Sequence, residues 1–233
     1  MKLALLGYGK MGKTIERLAL DAGHEVVFKA DKNFEEGDIN EANVAIEFSS
    51  PEAAFSNIKR CIATGIPVVS GTTGWLQDYD KVLKLCEDRN GSFIYASNFS
   101  VGVNLFFSLN EYLSKQMHVH EEYNVSIEEV HHTEKKDAPS GTAISLAEGI
   151  LKHVNKAGWK LDGEADNELS IHSKREGDVK GTHEVTYRSG IDQISIRHEA
   201  FSRDGFAKGA LLAAEWLQNK KGVYSMKDVL GLE

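Results

Sequence analysis

The sequence reads KLALLGYGKMG at residues 2–12, and this stretch decides the fold. Its apolar start, Lys2–Leu6, is typical of a buried strand and passes directly into a GxGxxG motif. Apolar residues then recur at helical spacing before Gly23: Met11, Ile15, Leu18 and Ala22. A strand, a glycine turn and a helix in this order predict the first βα unit of a nucleotide-binding sheet.

Each glycine of the motif has its own expected role. Gly7 permits the tight turn, Gly9 lets the backbone approach a pyrophosphate, and Gly12 allows close packing of helix on strand. The helix N-terminus adds unpaired N–H groups and a partial positive charge. The other residues expected at the phosphates lie between the glycines: Tyr8, Lys10 and Met11. The alternative is a glycine turn that binds nothing.

Asp31 bears on the choice of cofactor. It ends the second predicted strand, about 20 residues past the motif, where an acid holds the ribose hydroxyls. Its charge would repel a 2′-phosphate, whereas Lys32 beside it would attract one. The sequence therefore predicts NADH and/or NADPH as the cofactor, with NADH favoured.

Strands and helices alternate through the first half of the chain. The further strand candidates are Glu25–Ala30, Val44–Phe48, Pro67–Ser70 and Ser92–Ala96. Helices are predicted from Pro51 to about Thr64, with Ser50 as a cap candidate, and over Leu76–Arg89. This rhythm predicts an α/β fold with a Rossmann-type, doubly wound parallel sheet.

Two loops follow the later strands, at the edge where parallel sheets bind ligands. We expect both loops to reach the nicotinamide half of the cofactor, and the alternative is plain turn chemistry. Their candidate residues are Gly71, Thr72 and Thr73 in the first loop and Ala96, Ser97, Asn98 and Phe99 in the second.

The pattern changes after about Asn98. A long amphipathic helix, Val101–Met117, precedes a strand over Asn124–Val130 and a helix over Thr142–Asn155. Further strand candidates then follow with few helices between them: Glu168–Lys174, Thr182–Arg188 and Gln193–Phe201. We predict a second, smaller domain of α+β type.

The late strands alternate in polarity. Val185 and Tyr187 share one face of their strand, as do Ile194 and Ile196. Such alternation predicts a mixed or antiparallel sheet with one face buried. The segment Phe206–Asn219, rich in alanine and leucine, is predicted to close the chain as a helix.

Composition argues against several classes of function. The formal net charge of −8 disfavours binding to nucleic acid or to an anionic membrane. Cys61 and Cys86 form no CxxC pair, so neither a disulfide framework nor a zinc ribbon is expected. No apolar run suits a signal peptide or a membrane span, and we expect a cytoplasmic protein. A metal site is disfavoured, since no helical HxxxH spacing joins the candidate ligands His118, His120, His131 and His132.

The densest polar stretch is EEVHHTEKKDAPSGTA, residues 128–143. His131 and Lys135 would bring a proton and a positive charge to one place. On a regular strand His131 and His132 face opposite sides, but at a strand end both can line one cleft. The alternative is a solvated loop with incidental charges.

The same stretch ends at the start of a helix. Asp137 or Ser140 would cap that helix. The free N–H groups of Gly141 and Thr142 would then point out of its N-terminus, where they form a cradle for a carboxylate.

These motifs resemble those of the dihydrodipicolinate reductase family. Residues 129–143 match its HHxxKxDAPSGTA signature, residues 71–74 its GTTG loop and residues 97–104, SNFSVGVN, its hinge-side segment. The order of the motifs matches as well, so the resemblance covers essentially the whole chain. The chain departs from the family in a glycine loop that is one residue shorter, in Asp31 where glutamate is usual, and in its shorter length.

The resemblance implies NAD(P)H-dependent reduction of 4-hydroxy-tetrahydrodipicolinate (dihydrodipicolinate) to tetrahydrodipicolinate in lysine and diaminopimelate biosynthesis. It implies that His131 and Lys135 are the catalytic acid and base. The residues that it implies for the substrate carboxylate are His132, Gly141 and Thr142. It also places Arg203 near the cofactor.

The resemblance further implies a domain organisation. Residues 1–98 with 206–233 would form the dinucleotide-binding domain, and residues 99–205 the substrate-binding and oligomerisation domain of a homotetramer. Two rival functions stay open. An aldehyde or semialdehyde dehydrogenase would need a thiolate from Cys61 or Cys86, and an NAD-binding sensor would bind the cofactor without turnover.

Overall fold

A computed structural model of the protein describes residues 1–163, 167–202 and 204–232. Arg203, expected near the cofactor, lies outside the described residues. The chain divides into two compact units, residues 1–101 with 204–233 and residues 102–203. Among the described helices, none combines the length and the apolar character needed to cross a membrane.

Most of the helices and strands lie where the sequence predicts them. The strands are β1 (Lys2–Leu6), β2 (Glu25–Asp31), β3 (Phe34–Gly37), β4 (Val44–Glu47), β5 (Val68–Ser70), β6 (Ser92–Tyr95), β7 (Asn124–His131), β8 (Gly158–Leu161), β9 (Glu168–Arg175), β10 (Thr182–Arg188), β11 (Gln193–Glu199) and β12 (Gly222–Tyr224). The α-helices are α1 (Lys10–Asp21), α2 (Pro51–Ala63), α3 (Tyr79–Arg89), α4 (Val101–Met117), α5 (Gly141–Leu151), α6 (Asp204–Leu217) and α7 (Met226–Leu230). Short 3₁₀ helices span Ile39–Glu41 and Leu76–Asp78.

The first unit is a doubly wound sheet in the order β12-β6-β5-β4-β1-β2-β3. Every pairing in it is parallel except that of β2 with β3. Strand β1 is buried on both faces because helices cover both sides of the sheet. Leu3 and Leu5 pack in a cluster with α6, whereas Ala4 and Leu6 pack in a second cluster with α2 and α3. The predicted α/β fold class is confirmed.

The second unit is a mixed sheet in the order β11-β10-β7-β9-β8. Strand β9 runs parallel to β7 and β8, while β10 is antiparallel to β7 and β11. Val185 and Tyr187 are buried in a core that includes residues of α4 and α5. The opposite face is polar and open, lined by side chains such as Ser126, Glu128 and His172.

Some elements lay outside the sequence prediction. Strand β3 reads FEEG and is exposed along its whole length, so it lacks the apolar alternation that would reveal it. Strands β8 and β12 have only four and three residues. The predicted strand Gln193–Phe201 ends at Glu199, and the predicted helix Thr142–Asn155 ends at Leu151. Ile194, expected on the buried face, is 41% exposed at the edge strand.

Candidate active site

The turn between β1 and α1 is built around glycines that leave no room for side chains. Gly7 has φ +94°, and a Cβ there would overlap the carbonyl group of Phe48. A Cβ at Gly12 would overlap the carbonyl oxygen of Gly7, so this glycine lets α1 start directly on the turn. Gly9 instead faces open space, with no described atom within 4 Å of the position its Cβ would take. The turn can therefore present the first N–H groups of α1 to an anion.

A cavity of about 790 Å³ opens beside this turn. Asp31 stands on its wall, where Oδ2 accepts a hydrogen bond from the backbone N of Tyr8 (3.3 Å) and Oδ1 one from the backbone N of Lys32 (2.8 Å). Two further carboxylates, Glu35 and Glu52, also line the cavity. Amide donors at the turn and carboxylate acceptors at the strand end fit the pyrophosphate and ribose of a dinucleotide.

A smaller cavity of about 270 Å³ lies where β4 and β5 end. Its lining includes Met11, Phe48 and the loop 71–73. A Cβ at Gly71 would overlap the ring of Phe48, so glycine allows the loop to pass over that ring. Thr72 and Thr73 thereby reach the same edge of the sheet as the glycine turn, and their contact with a nicotinamide stays a prediction.

Glu47 ties this loop to the sheet, and the sequence analysis did not identify it. Its fully buried carboxylate accepts hydrogen bonds from Ser70 Oγ (2.6 Å), Thr72 Oγ1 (2.9 Å) and the backbone N of Ser49 (3.0 Å). The available signal was a glutamate at the end of the otherwise apolar strand VAIE.

The other predicted cofactor residues differ in how far the protein itself occupies their side chains. Phe99 is 1% exposed and packs against Phe48, with ring centroids 5.7 Å apart. Its side chain therefore belongs to the core, so at Phe99 only the backbone is available to a ligand, whereas Ser97 in the same loop is exposed. The hydroxyl of Tyr8 donates to Glu16, and Lys10 is exposed at the start of α1. The remaining loop residues, Ala96, Ser97 and Asn98, follow β6 directly.

In the second unit, β7 changes character along one face. Val125 and Ile127 are buried in the apolar core, and the next two residues on that face are Glu129 and His131. Glu129 is fully buried and His131 is 9% exposed at the last position of the strand. His132, the next residue, is half-buried beyond the strand end. The strand thus carries the two polar groups to one end of the sheet.

The carboxylate of Glu129 is held by donors from several elements. Its Oε1 accepts from the backbone N of Ser140 (3.1 Å), Ser173 Oγ (2.8 Å) and Arg175 Nη2 (3.1 Å). Its Oε2 lies 3.0 Å from Nδ1 of His131. Burial raises the pKa of Glu129, but hydrogen bonds from His131, Ser140 and Ser173 outweigh it and hold that pKa well below its ordinary range. The group is therefore an anion in the folded protein.

Arg175 also fixes the loop that follows β7. Its Nη2 donates to the carbonyl oxygen of Asp137 (2.6 Å) and its Nε to that of Lys135 (3.3 Å). The ammonium of Lys135 lies 2.7 Å from Oδ2 of Asp137, and this lysine lowers the pKa of Asp137. The predicted catalytic lysine is thus half-buried and held by a neighbouring carboxylate.

Helix α5 begins at the end of this loop. Ser140 is its N-cap, because the Ser140 side chain accepts from the backbone N of Ala143 (3.2 Å). Gly141 and Thr142 occupy the first two helical positions, where backbone N–H groups have no partner within a helix. Gly141 is exposed and faces open space. Of the two expected caps, the structure uses Ser140.

His183 joins this cluster and was not identified from the sequence. Its Nε2 lies 3.0 Å from Ser140 Oγ, and its ring centroid is 5.0 Å from that of His131. Burial, with the nearby His131, lowers the pKa of His183 to about 3, so this imidazole is neutral. Nothing local marks it in the chain, because β10 brings it to β7 from 52 residues away.

The donor atoms of Glu129, His131 and His183 lie within 4.8 Å of one another, a spacing that would suit a metal ion. The guanidinium of Arg175, however, is already bound to the same carboxylate at 3.1 Å. Because that cation disfavours a second one beside it, we read the cluster as an ion-pair network.

Both parts of the chain match family models of dihydrodipicolinate reductase. The model of the N-terminus matches residues 35–99, and that of the C-terminus matches residues 102–230. The chain is 55% identical over 233 residues to the 4-hydroxy-tetrahydrodipicolinate reductase of Christiangramia forsetii, covering 99% of this chain and 98% of that one. It is 37% identical over 240 residues to the reductase of the same name from Pelagibacter ubique, covering 98% and 88%.

Solved structures share the fold. The dipicolinate-bound dihydrodipicolinate reductase from Paenisporosarcina sp. TG-14 superposes with a TM-score of 0.78 and 21% identity over 97% of both chains. The aspartate dehydrogenase of Thermotoga maritima superposes with a TM-score of 0.52 and 13% identity, covering 94% of this chain and 97% of that one. The fold is therefore common to dehydrogenases that differ in substrate, and sequence identity discriminates among them.

Proposed function

The chain belongs to the dihydrodipicolinate reductase family, and from that premise we infer that it reduces 4-hydroxy-tetrahydrodipicolinate to tetrahydrodipicolinate with NAD(P)H. This reaction is a step of lysine and diaminopimelate biosynthesis. The observation that carries the inference is 55% identity to a curated reductase over 99% of the chain. The names of substrate and product fix the balance: the 4-hydroxyl group leaves as water, and one hydride and one proton are added.

When bound, NAD(P)H supplies the hydride. We propose that His131 supplies the proton, since its imidazole stands at the strand end beside an anionic partner at 3.0 Å. We propose that Lys135 offsets the negative charge that hydride addition leaves on the ring. Its ammonium lies 2.7 Å from Oδ2 of Asp137, which holds it in place.

A cyclic dicarboxylate needs groups that bind anions. We propose that the N–H groups of Gly141 and Thr142 at the start of α5 bind one substrate carboxylate, with His132 beside them. The relative from Paenisporosarcina was solved with dipicolinate bound, a dicarboxylate of the same class. On this proposal the second unit is the substrate-binding part of the chain, within residues 99–205.

The first unit, residues 1–98 with 206–233, is on the same proposal the dinucleotide-binding part. NADH fits its larger cavity better than NADPH, because Asp31, Glu35 and Glu52 all line that cavity and would repel a 2′-phosphate. Lys32 is the opposing cation on the same wall and would allow some use of NADPH.

We further propose a homotetramer, assembled through the open polar face of the sheet in the second unit. A cytoplasmic location would suit an enzyme that draws on the pyridine-nucleotide pool. The rival dehydrogenase with a cysteine nucleophile loses support. Burial raises the pKa of the Cys61 thiol to about 12 and that of Cys86 to about 11, so neither supplies a thiolate.

A steady-state assay tests the proposed function. The purified protein is mixed with the product of a dihydrodipicolinate synthase, and oxidation of NADH or NADPH is followed by absorbance. We expect turnover with both cofactors and a larger kcat/KM with NADH. Binding of NADH without any turnover would instead identify a cofactor sensor.

A further inference from the structure

The two oxygens of the Glu129 carboxylate face different partners. Oε1 is fully used, since it accepts from Ser140, Ser173 and Arg175. Oε2 is buried and lies 3.0 Å from Nδ1 of His131, and neither atom makes a well-aligned hydrogen bond to any described residue. Among the described residues, Nδ1 of His131 is the ring nitrogen closest to Oε2, since that of His183 is 3.7 Å away.

A carboxylate oxygen only accepts hydrogen bonds, so the imidazole nitrogen that faces it must carry hydrogen. His131 is then held with hydrogen on Nδ1, and Nε2 is left as the atom that exchanges a proton. We propose that Glu129 is the positioning residue of the reductase site, which fixes the tautomer and the ring orientation of His131. This inference rests on the proposed role of His131 as proton donor.

The surroundings of Nε2 agree with this assignment. The chain immediately before β10 passes that nitrogen at Gly181, whose φ is +150°. A Cβ at this position would lie 3.1 Å from Nε2 of His131. A glycine there leaves the proposed proton-exchanging nitrogen uncovered, whereas Nδ1 is enclosed by Glu129.

The same carboxylate also sets the position of the substrate cradle. The backbone N of Ser140 donates to Glu129 Oε1, while the side chain of Ser140 caps α5. The proton donor at the end of β7 and the first N–H groups of α5 are therefore fixed to one rigid group. Such shared support keeps reacting groups within the few tenths of an ångström that catalysis requires.

The charged and titratable groups around His131 come from every neighbouring element. Glu129 and His183 on β10 contact the ring directly, Arg175 on β9 binds Glu129, Lys135 pairs with Asp137 in the loop, and His198 on β11 acts on His183. Glu129 is the anion in direct contact with the ring of His131. Neutralising Glu129 should therefore act on proton donation itself.

The substitution Glu129→Gln tests this in the full-length protein. Gln keeps an acceptor for Ser140 and Ser173, but its amide NH₂ would face Nδ1 and favour the wrong tautomer. We expect kcat to fall on the order of 100-fold, as when general acid catalysis is lost. Substrate KM and the Kd for NADH should change little. The alkaline limb of kcat/KM against pH should move to lower pH by about one unit, because the imidazolium loses its neighbouring anion.

Glu148→Gln is the matched control, since it makes the same change at an exposed position of α5. If Glu129→Gln is as active as this control, or if its kcat falls while the alkaline limb stays in place, Glu129 does not position His131. The proposed function fails separately, since an inactive wild-type protein would show that before any variant is compared.

A measurement on the wild type covers the case in which Glu129→Gln does not fold. Long-range ¹⁵N–¹H spectra of histidine-labelled protein report which ring nitrogen carries hydrogen, and comparison with His131→Asn assigns the signals. At a pH where the imidazole is neutral, we expect hydrogen on Nδ1 of His131. Hydrogen on Nε2 would overturn the proposal.

Discussion

The glycine turn of the first unit and the imidazole cluster of the second both place a helix N-terminus at a proposed anion site, but they are built differently. The turn consists of backbone, and its glycines lie within six consecutive residues. The cluster consists of side chains, and Glu129 reaches Ser173 and Arg175 across 44 and 46 residues of sequence. The glycine turn therefore requires that Gly7 and Gly12 carry no side chain. The imidazole cluster requires that the charge of Glu129 is balanced by its partners.

This difference predicts how each site fails. Adding a methyl group should damage the turn, while removing a charge or a proton donor should damage the cluster. Damage in one unit should leave ligand binding by the other unchanged. The following variants test that separation.

The largest effect is expected in the cluster. His131→Ala removes the proposed proton donor, so kcat should fall by about 10²- to 10⁴-fold, the usual size of general acid catalysis. Lys135→Ala should also lower kcat, because the charge on the ring loses its counter-ion. NADH affinity, measured by fluorescence titration, should be unchanged in both. A loss of NADH binding would show that the two sites are not separable in this way.

The next effect concerns the carboxylates of the cofactor cavity. Asp31→Ser removes the anion closest to the expected ribose but keeps an acceptor for the backbone N of Tyr8. The ratio of kcat/KM for NADPH to that for NADH should rise about tenfold or more, since repulsion of a 2′-phosphate is relieved. Adding Lys32→Ala should reverse part of that gain. An unchanged ratio would place cofactor choice elsewhere in the cavity.

The sequence was sufficient for most of the fold and for the backbone-built site. The spacing of the apolar residues predicted every long helix and the buried strands, because each of these elements packs at least one face against a core. It missed β3, whose FEEG sequence is fully exposed. The glycine spacing also located the turn, since close backbone packing at Gly7 and Gly12 excludes any side chain.

Only part of the imidazole cluster could be predicted from the sequence. His131 and Lys135 stand in a recognisable stretch, but His183, Ser173 and Arg175 come from strands whose register no local pattern reveals. Glu47 in the first unit was missed for the same reason, because its partners Ser70 and Thr72 lie on the next strand and loop. The burial of the Phe99 side chain was not predictable, because a residue after a strand can turn inward and its burial depends on the helix packed above it. A contact of its backbone with the cofactor stays a prediction.

Two glycines at the open helix N-termini offer a direct test of the comparison. A Cβ at Gly9 or at Gly141 meets no described atom within 4 Å, so Gly9→Ala and Gly141→Ala should both fold normally. The methyl group would instead occupy the space of a bound anion. Gly9→Ala should raise the Kd for NADH about tenfold with little change in substrate KM, and Gly141→Ala should do the reverse. Equal effects of each variant on both ligands would contradict two separate cradles.

The smallest effect is one of stability and belongs to the cluster alone. His183 is buried with a pKa of about 3, whereas an unfolded histidine titrates near 6.5. Between these values the unfolded chain binds a proton that the folded protein does not, so stability falls as the pH falls below about 6.5. The free energy of unfolding in urea should therefore drop by about 1 kcal/mol between pH 7 and pH 5.5 from this group. His183→Gln keeps a partner for Ser140 but has no titrating ring, so its stability should lose that part of the pH dependence. The same slope in both proteins would mean that His183 titrates in the fold as it does in the unfolded chain, and that its burial does not lower its pKa.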